Sequence, residues 1–250
     1  MFEFLKETYY VMWGDMKFMR HNVLNILISS IMGPLLYLLA FGYGLGRGLE
    51  VDGMPYIAFI IPGIAALTSL SASFSAVSTR LNTQRLYYRS LDEMLMCPLS
   101  ISAVVLGKSM QGVIRGIVSS SIIFAMGLAM APDYLHLTPL YVVSILLSCF
   151  TFSFLGVTAA LLANTHQAMA TFSNLVILPM TFLCGTFFSV NAIPQIFQVA
   201  LYALPLTHSS VIVRASALEW DFPWASLLAL LLFCIAFFAI NAYLIKIKRV

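Results

Sequence analysis

The sequence predicts an all-α polytopic membrane protein: one transmembrane domain spanning residues 1–250, with six transmembrane helices. An N-terminal interfacial helix (2–20), a cytoplasmic surface helix (84–97) and outer re-entrant half-helices (189–224) complete it. Three observations carry this. Hydrophobic residues make up 61% of the chain and charged residues 9%, against roughly 25% charged in soluble domains. Mean hydropathy is +0.95. The apolar runs, such as Leu140 to Ala163, are continuous rather than alternating, which excludes the dyad pattern of a transmembrane barrel.

Residues 2–20 set Leu5, Tyr9, Met12 and Met16 at spacings of three and four, with Glu3, Glu7, Lys17 and Arg20 elsewhere. That is an amphipathic helix lying in the membrane interface, and its long charged flank without an A-x-A site is unlike a cleaved signal. The first span runs from Val23 to Tyr43. The glycines of GYGLGRGLEVDGMP after it lack the spacing and the preceding strand of a nucleotide fingerprint, so the segment is expected to be a flexible connector.

The second span, Tyr56 to Thr79, is followed by the most polar passage of the chain, QRLYYRSLDEMLMCPLS at residues 84–100. On a helical wheel Tyr87, Tyr88, Leu91, Met94 and Leu95 share one face, and Arg85, Arg89, Asp92 and Glu93 the other. Asn82 or Thr83 can cap the helix and Pro98 ends it. Arg89 and Glu93 stand four apart, a pair worth only a few tenths of a kcal/mol on a surface. Leu86 and Met96 interrupt the charged face, the composition of a docking surface; an ordinary amphipathic loop has the same wheel.

The third span, Ile101 to Met130, contains Gly107-Lys108-Ser109, but a phosphate loop needs glycine where Ser102 stands. Lys108 and Arg115, seven apart near the cytoplasmic end, are expected to snorkel to lipid phosphates; guiding an anionic headgroup is the alternative. The fourth and fifth spans are Leu140 to Ala163 and Met169 to Phe188, and the sixth is Leu227 to Ile245. Between the fifth and sixth, Pro194, Pro205 and Pro223 break an amphipathic stretch too short to cross, with Trp220 and Trp224 at the interface and Thr207 as a candidate cap. Gly33-Pro34, Pro62-Gly63 and Pro179 are candidate bends.

Eleven of the thirteen basic residues fall on the side of the termini, leaving Arg47 and Arg214 opposite, so both termini are expected in the cytoplasm. Acids lie in loops or near helix ends, against a self-powered carrier with buried proton relays. Cys97, Cys149, Cys184 and Cys234 are scattered singly, which indicates neither a disulfide framework nor a metal site. Nothing clusters as nucleophile, base and acid, so no catalytic residue is expected. Hydroxyls of the second span, from Thr68 to Thr79, fit helix packing; they also fit a mildly polar substrate wall.

Four passages in order resemble the permease subunit of an ABC-2 type (type V) ATP-binding-cassette exporter, near the nodulation-factor, drug and polysaccharide branches. They are FIIPGIAALTSL (59–70), YYRSLDEMLMCPLSISAVVLGK (87–108), PMTFLCGTFFSVNAIPQIFQ (179–198) and ALPLTHSSVIVRA (203–215). Many relatives have Gly-Thr where this chain has Arg89-Ser90. The resemblance implies that residues 84–97 are a coupling helix seated in a separate ATPase subunit through Arg85, Leu86, Arg89, Asp92, Glu93 and Met96. It further implies two permeases with two ATPases that hold the ATP and magnesium, in a bacterial inner membrane. The expected function is ATP-driven export of an amphipathic lipid, drug or glycan; the alternative is a non-pumping scaffold or channel. The substrate path or dimer seam is expected at Ser71, Ser75, Thr181, Phe182, Thr186 and Phe187, and an outer gate at Pro205, His208 and Arg214.

Overall fold

The computed structural model describes residues 2–46, 48–51, 53–188 and 194–248, and the fold is almost entirely helical. In chain order it comprises α1 (Phe2–His21), α2 (Val23–Tyr37) continuing as a π-helical segment (Leu38–Leu45), and strands β1 (Glu50–Val51) and β2 (Met54–Pro55). Then follow α3 (Tyr56–Leu86), α4 (Ser90–Met96), α5 (Ile101–Met130) and α6 (Pro139–Leu162). The chain ends with α7 (His166–Phe172), a second π-helical segment (Ser173–Ile177), α8 (Leu178–Leu183), α9 (Gln195–Tyr202), α10 (Pro205–Ala217) and α11 (Trp224–Lys248).

Helix α3 is the axis. Its apolar stretch is 89% buried, whereas those of α2 and α11 are 18% and 17% buried, so α2 and α11 form the outer wall. Helices α5 and α6 pack along α3 on either side, with α1 laid over α5 and α10 wedged between α3, α6 and α11. One apolar core surrounds the Tyr56 end and middle of α3, built on Phe59, Ile64, Leu67, Phe152 and Leu206; a second lies at its Arg85 end, built on Leu81, Leu91, Val105, Val157 and Leu161.

Among the described residues, five helices are long and apolar enough to cross a membrane: Val23–Gly42, Tyr56–Leu86, Ile101–Met130, Pro139–Leu162 and Trp224–Ile247. The expected fifth span differs. Its helical part runs His166–Leu183, interrupted by the π-helical turn, and Cys184 to Phe188 are not helical. Leu178 N–H reaches back five residues to the Ser173 carbonyl, just before Pro179, which has no N–H to give. At about 1.5 Å per residue this stretch is roughly 27 Å long. Helix α3, by contrast, runs unbroken through Pro62 and continues two turns beyond the expected Thr79.

One smaller expectation is corrected. The glycine-rich connector is partly ordered, with β1 and β2 pairing antiparallel, Glu50 opposite Pro55 and Val51 opposite Met54. Helix α1 buries Val11 and Asp15, while Leu5, Tyr9, Tyr10 and Trp13 are exposed; its aromatic face is therefore turned away from the bundle. The expected 189–224 segment includes 189–193, which lie outside the described residues; its remainder forms α9 and α10, two short helices joined at Ala203 and Leu204.

Candidate functional site

The surface helix between α3 and α5 is shorter than its sequence suggests. Residues 82–86, including Arg85 and Leu86, are the last turn of α3, so Asn82 and Thr83 cap nothing there. The chain breaks at Tyr87–Arg89, and Arg89 takes up a left-handed conformation with φ of 53° before α4 begins at Ser90. Leu91 and Leu95 are 2% and 8% exposed and anchor α4 in the second core, each burial worth about 1.5–3 kcal/mol. Arg89, Asp92, Glu93 and Met96 point outward, Met96 at 85% exposure. Tyr87 and Tyr88, expected to share a face with Leu91 and Leu95 toward the bilayer edge or the neighbouring spans, lie in the break before α4 and are exposed.

Arg85 is committed elsewhere. Its guanidinium donates to the carbonyls of Ala160, Leu161 and Ala163 at 2.8, 2.8 and 3.1 Å and to Asn164 Oδ1 at 2.6 Å, closing the end of α6. The sequence placed it on the docking face; the structure uses it to satisfy carbonyls left open at a helix end. Tyr87 stacks on His166 with ring centroids 5.0 Å apart, which ties the break to the start of α7.

Beside α4 the bundle holds a buried ionic cluster absent from the sequence reading. Lys108 Nζ lies 2.9 Å from Asp15 Oδ2 and donates to Gln84 Oε1 at 2.8 Å; Gln84 Nε2 donates to Asp15 Oδ1 at 2.7 Å. Arg80 Nε sits 3.4 Å from Asp15 Oδ1, and its guanidinium lies 4.0 Å from the Phe18 ring centre. Lys108 therefore does not snorkel to lipid. Gly107 permits the approach: a methyl there would strike Val11 and the Thr8 carbonyl of α1. Nearer the N-terminus, Glu7 accepts from the Ser100 backbone N–H at 3.0 Å and hydroxyl at 2.6 Å, which holds its carboxyl below the usual glutamate range. Helix α1 thus clips α5 at the point where α4 ends.

Along α3 a groove of about 590 Å³ opens between it, Tyr37 and α7–α8. Ser71, Ser75, Ser78 and Thr79 of α3 line it, with Asn82, His166, Asn174, Thr181 and Phe182. Of the expected path residues, Ser71, Ser75, Thr181 and Phe182 are therefore brought together. Thr186 and Phe187 are not: Thr186 is fully buried, and Phe187 stacks on Phe41 with centroids 4.4 Å apart and meets Tyr37 at 5.5 Å. The hydroxyls of α3 divide between two duties. Thr68 and Ser69 bond back to carbonyls of their own helix and are buried as packing residues, while Ser71, Ser75 and Thr79 face the groove.

Of the residues expected at a gate, Arg214 ties a structural knot at the Tyr56 end of α3. Arg214 is 4% exposed; it donates to the carbonyls of Phe59 at 3.2 Å, Gly185 at 2.8 Å and Thr186 at 3.2 Å, and lies 4.0 Å from the Phe59 ring centre. Gly63 packs against the Thr186 carbonyl and Arg214 so closely that a methyl would collide with both. Three of the four sequence passages thus meet at one point. Pro205 opens α10, and His208 Nε2 lies 2.8 Å from the Tyr202 carbonyl. Thr207 is not the cap; it donates to Leu201 O at 2.6 Å, fastening α9 to α10.

Five membrane-length helices among the described residues, one of them the buried axis, and a short surface helix between α3 and α5 describe a polytopic membrane component built around a groove. The chain belongs to the ABC-2 type transporter family, which it matches over residues 6–218, and within that family it is a membrane permease. It is 31% identical over 222 residues to Nodulation protein J of Rhizobium meliloti (strain 1021), covering 81% of this chain and 80% of that protein. To Nodulation protein J of Sinorhizobium fredii (strain NBRC 101917 / NGR234) it is 30% identical over 202 residues, 77% of this chain and 75% of the other. The Inner membrane transport permease YadH of Escherichia coli (strain K12) is 24% identical over 193 residues, 75% of each chain.

Proposed function

We propose that this chain is the permease of an ATP-driven exporter: a separate ATPase subunit docks on α4, and an amphipathic substrate moves along the groove beside α3. The carrying observation is that α4's exposed face, Arg89, Asp92, Glu93 and Met96, is set by Leu91 and Leu95 directly at the end of the helix that walls the groove. A push on α4 reaches the groove by two routes, through α3 itself and through Tyr87 and Arg85 onto the α6–α7 connection. Packed helices move as units, so these contacts can turn ATP-driven closure of the ATPase into a change of groove width.

Arg80, Arg85, Arg89 and Lys108 cluster at this end of the bundle, and α1 adds Lys6, Lys17 and Arg20. By the positive-inside rule it faces the cytoplasm, with both termini there in a bacterial inner membrane. The stretch His166–Leu183 serves as a sixth, bent span, and α9–α10 as the outer re-entrant pair. Leu175, Leu178 and Leu183 are exposed along the groove's rim, the surface on which a second copy of the chain closes the route; two ATPases bind the ATP and magnesium. Hydroxyl and amide groups among aromatic and aliphatic walls suit a substrate with both a polar and an apolar part.

The test is reconstitution. Proteoliposomes holding this chain and its ATPase subunit should move a fluorescent amphipath only with hydrolysable ATP. Movement that proceeds equally without the ATPase identifies a channel, and absence of any movement with an assembled, hydrolysing complex identifies a scaffold.

A further inference from the structure

Arg115 lies two turns, about 10 Å, along α5 from Lys108. It is the fifteenth of the thirty residues of α5, about 21 Å from the helix start and so at its midpoint. Its Nε donates to Ser30 Oγ of α2 at 2.7 Å, and among the described residues no carboxylate pairs with it. Seven residues earlier on the same face, Lys108 is given Asp15 as a counter-ion. The protein gives one of these two cations a carboxylate and holds the other, within a membrane-length apolar helix, on a serine hydroxyl, an arrangement that is costly unless an opposite charge meets it.

Arg115 opens onto a place where something can. It lines a chamber of about 220 Å³ with Ser29, Ser30, Tyr37, Ser71 and Ser75. Tyr37, Ser71 and Ser75 also line the large groove, so the chamber is a side pocket of the route. A guanidinium flanked by hydroxyls matches the oxyanion of a phosphate, sulfate or carboxylate, which its planar fork binds through paired hydrogen bonds.

We propose that Arg115 is the anion-recognising residue of the groove, receiving the phosphate-like headgroup of an anionic amphipath while the apolar tail lies along the groove wall. The proposal rests on the reading of the groove as the substrate route and specifies the class of substrate. The same chemistry is offered by a transported molecule and by an anionic phospholipid of the bilayer, and the experiment separates the two.

Ser71→Cys, in a chain carrying Cys97→Ser to remove the exposed native thiol, gives a reporter in the wall shared by chamber and groove. The permease–ATPase complex in phosphatidylcholine nanodiscs is labelled with a maleimide while lysophosphatidic acid, or the uncharged monoacylglycerol of equal chain length, is titrated in. Lysophosphatidic acid should protect the cysteine at concentrations at least about tenfold lower than monoacylglycerol, a difference equivalent to about 1.4 kcal/mol. Arg115→Gln should erase that preference and leave the weak effect of monoacylglycerol unchanged. Arg115→Lys should retain part of the preference, and Ser30→Ala most of it.

Equal protection by the two probes, or a preference that survives Arg115→Gln in a correctly inserted chain, overturns the proposal and makes Arg115 a tie between α2 and α5. A second arm adds phosphatidylglycerol to the discs. Protection appearing with that lipid alone, and lost in Arg115→Gln, upholds the anion site and assigns it to a bilayer lipid; protection that still requires lysophosphatidic acid assigns it to a single-chain substrate. Labelling needs no ATP hydrolysis, so failure of ATP-driven movement and failure of anion recognition are read independently.

Discussion

Lys108 of α5 and Asp15 of α1, 93 positions apart in the chain, form an ion pair at 2.9 Å with 6% and 2% of their side chains exposed. The pair fastens the surface helix α1 to the bundle just where α3 and α5 converge on α4, and Gln84 donates to one partner and accepts from the other. Asp15→Ala leaves a buried ammonium without its counter-charge, a loss of about 3–5 kcal/mol. Thermal unfolding of the purified chain should show a marked drop in midpoint, and Asp15→Leu combined with Lys108→Met should restore much of it. An unchanged midpoint in Asp15→Ala shows that the pair is open to water in the membrane.

Glu7 and Ser100 supply a pH-dependent clasp at the other end of α1. The Ser100 hydroxyl, then its backbone N–H, stabilises the carboxylate and lowers its pKa in the folded protein. A lowered folded pKa contributes stability that is fully present above the ordinary glutamate value of about 4.3 and is lost as pH falls through the folded value. Fluorescence of Trp13, exposed on α1, should change in this acid window and not between pH 6 and 8. Glu7→Gln should abolish that transition; a transition persisting in the variant locates it in another group.

Arg89 occupies the left-handed region, with φ of 53°, a conformation that glycine adopts at least cost. Arg89→Gly should be neutral or stabilising by up to about 1 kcal/mol, because relief of side-chain crowding is offset by greater freedom of the unfolded chain. Arg89→Val, which tolerates that conformation least, should destabilise by more than about 1 kcal/mol. Arg89→Asn keeps the backbone and removes the charge, so it separates the turn from the docking role. Equal unfolding midpoints for the valine and glycine variants contradict the strained turn.

Arg85 and the α4 carboxylates sit close in sequence and differ in what they do. Arg85→Ala removes donors from three carbonyls at the end of α6 and should cost about 2 kcal/mol in thermal unfolding. Asp92→Ala and Glu93→Ala, both exposed, should stay within about 0.5 kcal/mol of the parent. A stable Arg85→Ala chain returns Arg85 to the docking surface.

Much of the bundle could be read from hydropathy because lipid imposes length and polarity on each span, and the starts of α3 and α5 coincide with their expected positions. The surface helix was misjudged at one end for a local reason: a wheel drawn through residues 84–97 assumes unbroken helical geometry, and Arg89 departs from it. Nothing in its residue type announces that. The groove was partly legible, since Ser71 and Ser75 share a helix and Thr181 and Phe182 lie on its opposite wall. The Asp15–Lys108 cluster was not, because no periodicity links side chains on α1 and α5. The same blindness to distant partners placed Lys108 and Arg115 together as lipid anchors, when Lys108 is paired with Asp15 and Arg115 bonds Ser30 beside a small chamber.

The most direct measurement is co-purification of the ATPase subunit with a chain carrying Asp92→Ala, Glu93→Ala and Met96→Ala together. These three exposed side chains contribute little to the fold, so membrane insertion and the unfolding midpoint should match the parent. The expected result is loss of the ATPase from the purified complex together with loss of ATP-driven export. Retention of both the ATPase and export at parental levels contradicts α4 as the surface through which this permease is driven.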